Sequence, residues 1–357
     1  MVEAIFWTSF LCITYVYAGY PLLLMVWRRF CRRPVHKRYQ EPSVSLIVAM
    51  HNERKNARAK MENCFELDYP ANKLQVIVSL DAPTDGTEAL VRDYAAIRGV
   101  DVVYSSVRTG KAAALNSGVA VATGEVLLFA DARQQFDKSA VRELVANFAD
   151  ESVGCVSGEL FLLDEQTKEA SDAVGAYWRY EKGLRAMESD IHSVPGASGA
   201  IYAIRRELFV PLRPETILDD VVIPMKIVLR GKRAIFDPAA RAYDVASQNP
   251  ELEYERKTRT LAGNYQLFAQ MPALLVPWCN PIFVQMVSHK LGRLLVPHCL
   301  VTLFIANLFL LRGFYLVVLI CQVLWYGLAV AGRLLSARRG ESSVRQFQRF
   351  DQGEKEI

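Results

Sequence analysis

The sequence has no CxxC pair. Its seven cysteines, Cys12, Cys31, Cys64, Cys155, Cys279, Cys299 and Cys321, are odd in number and scattered. That excludes a disulfide framework or a zinc site of ordinary spacing and agrees with reduced thiols on a cytosolic side. There is no internal repeat and no low-complexity stretch. A strong charge of one sign is also lacking: the net charge is +4 over 357 residues, so nucleic acid is not an expected partner. The hydrophobic fraction, by contrast, is high at 52%. The excess is gathered at residues 4–27 and 294–332, and acidic clusters lie in the stretch between.

Ala4 to Trp27 (AIFWTSFLCITYVYAGYPLLLMVW) carries no charge, and about 20 apolar residues span a bilayer. Arg28, Arg29, Arg32, Arg33, Lys37 and Arg38 follow at once. The positive-inside rule then predicts an outer N-terminus and a cytosolic domain after residue 27. A cleaved signal peptide has its charges before the apolar run, the reverse of this order, so a retained anchor is expected. Leu294–Leu311 and Gly313–Ala331 read as two further spans turned at Arg312-Gly313, with Arg333, Arg338 and Arg339 returning the tail to the cytosol. A buried soluble hairpin is the alternative. The segment between, PWCNPIFVQMVSHKLGRLLVP, reads as a helix lying in the membrane interface or as a core helix.

The middle of the chain alternates. VSLIVAM (44–50), LQVIVSL (74–80), VDVVYSS (100–106) and VLLFAD (126–131) are short apolar runs that read as buried strands. Helical patterns over 53–67, 87–96 and 110–122 separate them. This order predicts an α/β fold with a mostly parallel sheet covered on both faces. Asp81 and Asp131 then stand at strand C-termini, where such sheets bind ligands. Asp85 reads as a turn residue. Asp219-Asp220 opens an apolar helix, as capping residues or as a functional pair. Lys111 follows Gly110 at a helix start, which favours a diphosphate unless it is a solvated surface lysine. Gly196, Ser198 and Gly199 form a small-residue turn that lets backbone approach a substrate. Tyr177 and Trp178 can stack on sugar rings or simply pack in a core.

Taken together, Ala49-Met50-His51-Asn52-Glu53, Asp81 in SLDAPTDGT, Gly110-Lys111-Ala112-Ala113-Ala114-Leu115-Asn116 and Asp131 resemble the nucleotide-sugar half of family 2 glycosyltransferases, whose fold is called GT-A. GASGAIYAIRR (196–206), Leu218-Asp219-Asp220 and Arg256-Lys257-Thr258-Arg259-Thr260 resemble the acceptor half of that family's membrane-bound branch. This branch includes synthases of hyaluronan, cellulose, chitin oligomers and poly-N-acetylglucosamine. The resemblance runs from about residue 42 to 293.

The resemblance implies roles for individual residues. Asp81 and Glu53 would meet the nucleoside, and Lys111 the diphosphate. Asp131 matches the first acid of a DxD motif that holds Mg2+ or Mn2+. Here the motif reads Asp131-Ala132-Arg133, without the second acid; Arg133 would touch phosphate or a neighbouring acid. Asp220 would be the general base, with Asp219 beside it. Arg256 and Arg259 stand in a QxxRW-like motif that contacts diphosphate and acceptor, or else form a solvated face. Thr260 replaces the tryptophan. Gly196, Ser198, Gly199 and Trp178 would lie toward the acceptor.

The expected organisation is a transmembrane helix (1–27), a basic linker (28–41), a GT-A domain (42–250), motif-bearing and interfacial helices (251–293), a transmembrane hairpin (294–335) and a polar tail (336–357). The expected activity is inverting transfer from a UDP-sugar to a glycan acceptor at the inner face of a bilayer, in exopolysaccharide synthesis. A lipid-linked acceptor is one alternative and a non-catalytic nucleotide- or glycan-binding subunit another. With only three spans, polymer export would need a homo-oligomer or a partner. Arg345 and Arg349 in the tail give no motif for a nucleotide messenger.

Overall fold

The structure is a computed structural model, and it describes residues 1–163, 175–245 and 250–332. The tail from Arg333, with Arg338, Arg339, Arg345 and Arg349, lies outside the described residues.

The chain begins with α1 (Val2–Phe30). Then come β1 (Val44–Met50), α2 (Arg54–Phe65), β2 (Leu74–Asp81), α3 (Thr87–Arg98), β3 (Asp101–Ser105), α4 (Lys111–Ala120) and β4 (Val126–Asp131). The second half holds β5 (Gln135–Phe136), α5 (Ala140–Ala146), β6 (Val153–Leu163), α6 (Gly175–Ile191), β7 (Ile201–Arg205), α7 (Asp219–Val228), β8 (Arg233–Val245) and α8 (Pro250–Gln270). Three helical pieces, Phe283–Gln285, the π-wound Met286–Leu291 and Gly292–Asn307, run end to end as α9. The last described helix is α10 (Gly313–Gly332).

One eight-stranded sheet has the order β3-β2-β1-β4-β7-β6-β8-β5. The β3-β2-β1-β4 half is parallel, as the alternation of strands and helices predicts. The rest is mixed: β4–β7, β6–β7 and β5–β8 pair antiparallel and β6–β8 pairs parallel. "Mostly parallel" therefore describes the first half, and the sheet as a whole is mixed. Side chains alternate across a strand. Leu46, Val48 and Met50 of β1 enter the core under α2, α3 and α5. Ile47 enters the opposite core, with Leu115 of α4 and Val221 and Met225 of α7. Both faces are thus covered, which is why β1 is apolar apart from the hydrogen-bonded Ser45.

The register decides where the site can form. Met50 pairs with Leu80, and Ala49 with both Ser79 and Asp131. The C-terminal ends of β1, β2 and β4 therefore share one edge.

Among the described residues, two helices are long and apolar enough to cross a membrane, Val2–Phe30 and Gly313–Gly332. The expected third span at 294–311 falls mostly within α9, so its start is continuous with the segment read as interfacial. The turn expected at Arg312-Gly313 is present, with Gly313 at a positive φ of 50°. There Arg312 pairs with Glu3 at 2.6 Å, and Trp7 stacks on Phe314 with ring centroids 5.8 Å apart. The basic linker is tied down rather than loose. Arg28 pairs with Asp190 at 2.6 Å, and Lys37 with Asp237 at 2.8 Å.

Candidate active site

A cleft of about 430 Å³ opens at the shared strand edge. Its walls include Glu53, Asp81, Lys111, Asp131, Arg133, Arg256 and Arg259. These are all the residues expected on the donor side, gathered from β1 through α8. His51, Arg108 and Gln134 also line it and were not singled out from the sequence. Arg108 carried a signal in being two residues before Gly110. His51 carried one in lying two residues before Glu53.

Asp81 is buried at the end of β2. One oxygen accepts from the Thr109 N–H (2.7 Å) and hydroxyl (3.0 Å), and the other from the Gly110 N–H (2.8 Å). Burial alone would raise its pKa; these donors outweigh it and hold the carboxyl below its ordinary value. Asp81 thus pins the loop that delivers Lys111. Gly110 is needed there because its φ is +90°. Asp85 fills the turn role read for it: it accepts from the N–H groups of Arg54 and Thr87 at 3.0 Å each. The Glu53 carboxylate accepts from the Asn56 side chain at 2.7 Å. Two non-glycine residues, Asn52 (φ 52°) and Ala82 (φ 46°), hold strained backbone next to the cleft.

Lys111 links the cleft to the acidic pair. Its ammonium lies 2.8 Å from Asp131 Oδ1 and 3.2 Å from Asp219 Oδ1. Burial pulls its pKa down, but Asp131 and Asp219 more than reverse this and raise it above the ordinary lysine value. Asp219 is buried, and its other oxygen accepts from the Tyr202 hydroxyl at 3.3 Å.

Asp220 follows on the first turn of α7. Burial and the neighbouring Asp219 charge push its carboxyl up to about 6, against the opposing pull of Lys111 and Lys290. The Gly196–Gly199 turn lies against it. The Asp220 carbonyl accepts from the Ala197 N–H at 2.8 Å. A Cβ on Gly199 would stand 3.2 Å from Asp220 Oδ2, so a side chain there would crowd that carboxylate. Gly196 has a φ of +142°.

Packing sets the surroundings of the other expected residues. Arg133 does meet a neighbouring acid: it pairs with Asp244 of β8, which also accepts from Gln134 at 2.8 Å. Trp178 is 39% exposed on α6 and is not among the residues lining the cleft. The small-residue turn likewise lies beside Asp220 and not in the cleft wall.

Among the described residues no group of three or more His, Cys, Asp or Glu side chains could hold a metal alone. Asp131 nonetheless suits a hard cation. Its carboxylate is 37% exposed, and its second oxygen makes no hydrogen bond to a described residue. Mg2+ commonly binds through one or two carboxylates plus substrate phosphates.

Residues 45–212 match the model for "Glycosyl transferase family 2". A probable glycosyltransferase of Bacillus subtilis, YdaM, is 26% identical over 235 residues, 62% of this chain and 55% of the relative. A poly-beta-1,6-N-acetyl-D-glucosamine synthase of Staphylococcus aureus is 22% identical over 263 residues, 69% of this chain and 61% of the relative. The chain thus spans less than two thirds of the length of these relatives. A mannosyltransferase of Pyrobaculum calidifontis, solved with GDP-Man and Mn2+, superposes with a TM-score of 0.71 at 26% identity, covering 93% of this chain and 92% of the other. Sheet order, strand-end carboxylates and these matches agree: residues 45–212 carry a family 2 glycosyltransferase domain with the GT-A fold.

Proposed function

We propose that this chain is a membrane-associated, inverting glycosyltransferase that uses a nucleoside-diphosphate sugar, with a UDP-sugar as first candidate, at the inner face of a bilayer. The observation that carries this is the link made by Lys111 between the donor-side cleft and the Asp219–Asp220 pair. Asp220 is the general base: it takes the proton of the acceptor hydroxyl as that oxygen attacks the anomeric carbon. The new C–O bond forms as the bond to the β-phosphate breaks, and the nucleoside diphosphate leaves with the electron pair. One displacement from an α-linked donor gives a β-linked product. Lys111, Arg256 and Arg259 meet the negative charge growing on the leaving diphosphate. A Mg2+ or Mn2+ ion held by Asp131 would supply further neutralisation of that charge. Asp81 and Glu53 frame the nucleoside end, with Asp81 also fixing the Lys111 loop.

Exopolysaccharide is one product class, supported by the poly-N-acetylglucosamine synthase relative. The mannosyltransferase solved with GDP-Man makes GDP-mannose the second donor to test. The deciding experiment is a donor screen on the full chain in lipid with Mg2+ or Mn2+, with products resolved by size and solvent extraction. Incorporation from one donor is expected. Failure with every donor, nucleotide binding being intact, would leave a non-catalytic binding subunit.

A further inference from the structure

Within electrostatic reach of Asp220, α6 and α9 meet in a charged junction that the proposed chemistry leaves unused. Two carboxylates of α6 are already engaged there. Glu188 is fully buried (0% exposed), and one of its oxygens accepts from the Tyr20 hydroxyl (2.6 Å) and pairs with His289 Nδ1 (2.7 Å). Glu181 pairs with His289 Nε2 at 3.4 Å and with Arg293.

Two half-buried cations at this junction have no carboxylate of their own. Lys290 makes no hydrogen bond or ion pair with any described residue, and the acids whose charge reaches it are Asp220, Glu188 and Glu181. Arg185 lies one turn from Glu188 on α6. A single Nη of Arg185 donates to Ser157 Oγ at 2.7 Å and to the Gly196 carbonyl at 3.5 Å. Ser157 Oγ in turn accepts from the Ser198 N–H at 2.9 Å. Arg185 therefore abuts the same small-residue turn that presses on Asp220. Its remaining donors are uncommitted among the described residues, and a guanidinium fork suits phosphate oxygens. Cations drawn out of water without a directly paired counter-ion are costly; the Phe236 ring 4.9 Å from the Arg185 guanidinium offsets part of that cost, and an anionic ligand answers the rest.

The membrane helices reach this place. Ser288, two residues before Lys290, is 2.8 Å from the Tyr15 hydroxyl of α1. A Cβ on Gly292 would come within 2.8 Å of Val16 of α1. The cation pair thus borders both the acidic pair and the apolar span.

We infer that Lys290 and Arg185 form an anion subsite that holds a phosphate group of a membrane-borne acceptor, with the acceptor's reacting oxygen directed at Asp220. The inference rests on the functional reading for its chemistry, but its test does not require transfer. Full chain in phosphatidylcholine nanodiscs is titrated with dodecyl phosphate and with dodecanol. The phosphate should bind at least tenfold tighter. Lys290→Gln and Arg185→Gln should each remove most of that preference, and Lys290→Arg should retain it, which separates charge from folding. Equal binding of alcohol and phosphate, or a preference untouched in Lys290→Gln and Arg185→Gln, overturns the subsite. Displacement by an equal concentration of inorganic phosphate overturns the membrane-borne source. A chain that shows the phosphate preference yet transfers from no donor keeps the subsite and sinks the proposed enzyme.

Discussion

The donor half and the helical half, which carries the two long apolar helices, are built by different means. In the donor half, polar residues stand at the ends of parallel strands around a cleft, Asp131 and the neighbouring Lys111 partly exposed to it and Asp81 buried. Each is placed by local backbone: a strand end, a glycine turn, a helix start. In the helical half, polar and charged groups are buried between helices distant in sequence, such as Tyr20, Glu188 and His289. The first arrangement leaves side chains open to a ligand. The second spends them on one another, and Lys290 and Arg185 are the exceptions. A cleft open to solvent costs little to leave unfilled, whereas a buried ion network is stable only when each partner is present.

Asp220 sits where the halves meet, and breaking it should have the largest effect. Asp220→Asn is expected to lower turnover by about 10²–10⁴-fold, the usual scale of general-base catalysis, while equilibrium titration shows nucleotide affinity intact. Near wild-type turnover would remove Asp220 from the mechanism. Its pH profile sharpens the point. The carboxyl is raised to about 6, so it is protonated and inactive as a base below that pH. In the unaltered chain kcat/KM should therefore fall as pH drops through about 6, and a flat profile down to pH 5 would contradict the assignment.

Next comes the buried network. Glu188→Ala strands His289 and the Tyr20 hydroxyl, and removal of one partner from a buried ion pair costs about 3–5 kcal/mol. Burial alone would lower the His289 pKa, but Glu188 and Glu181 outweigh it and raise it, so loss of Glu188 withdraws the main support for the charged imidazole. Thermal unfolding in lipid should show a clear drop in midpoint. An unchanged midpoint would mean that the helical half does not depend on its ion pairs.

The smallest effect should come from the donor side. Lys111→Gln removes one charged contact to the donor, worth about 1.5–3 kcal/mol. Donor KM is expected to rise by one to two orders of magnitude with the fold intact. A larger loss of turnover than of donor affinity would show that Lys111 acts mainly by organising Asp131 and Asp219.

How much was legible follows from the same contrast. Asp81, Lys111 and Asp131 were found because each ends an apolar run or opens a helix, and parallel register alone brings those ends to one edge. Arg256 and Arg259 also reach the cleft, found through their motif. Trp178 was placed toward the acceptor by the resemblance, and it stands partly exposed on α6 outside the donor-side cleft wall. The mixed second half of the sheet was not legible, since β6 and β8 pair in parallel across some 80 intervening residues. Arg185 and Lys290 gave no sequence signal. They are ordinary helix residues until three helices close around them.

The sequence by itself determined the α/β alternation, the apolar ends, the strand-end acids and the likeness to family 2. These depend on periodicity and on neighbours a few residues apart. Only the tertiary structure decided that Lys111 bridges Asp131 and Asp219, that Arg133 is held by Asp244, and that Lys290 and Arg185 come within reach of the Asp220 charge without pairing to a described acid. Each of those is a contact between segments far apart in the chain, and its energy is set by burial and distance, which exist only once the chain has folded.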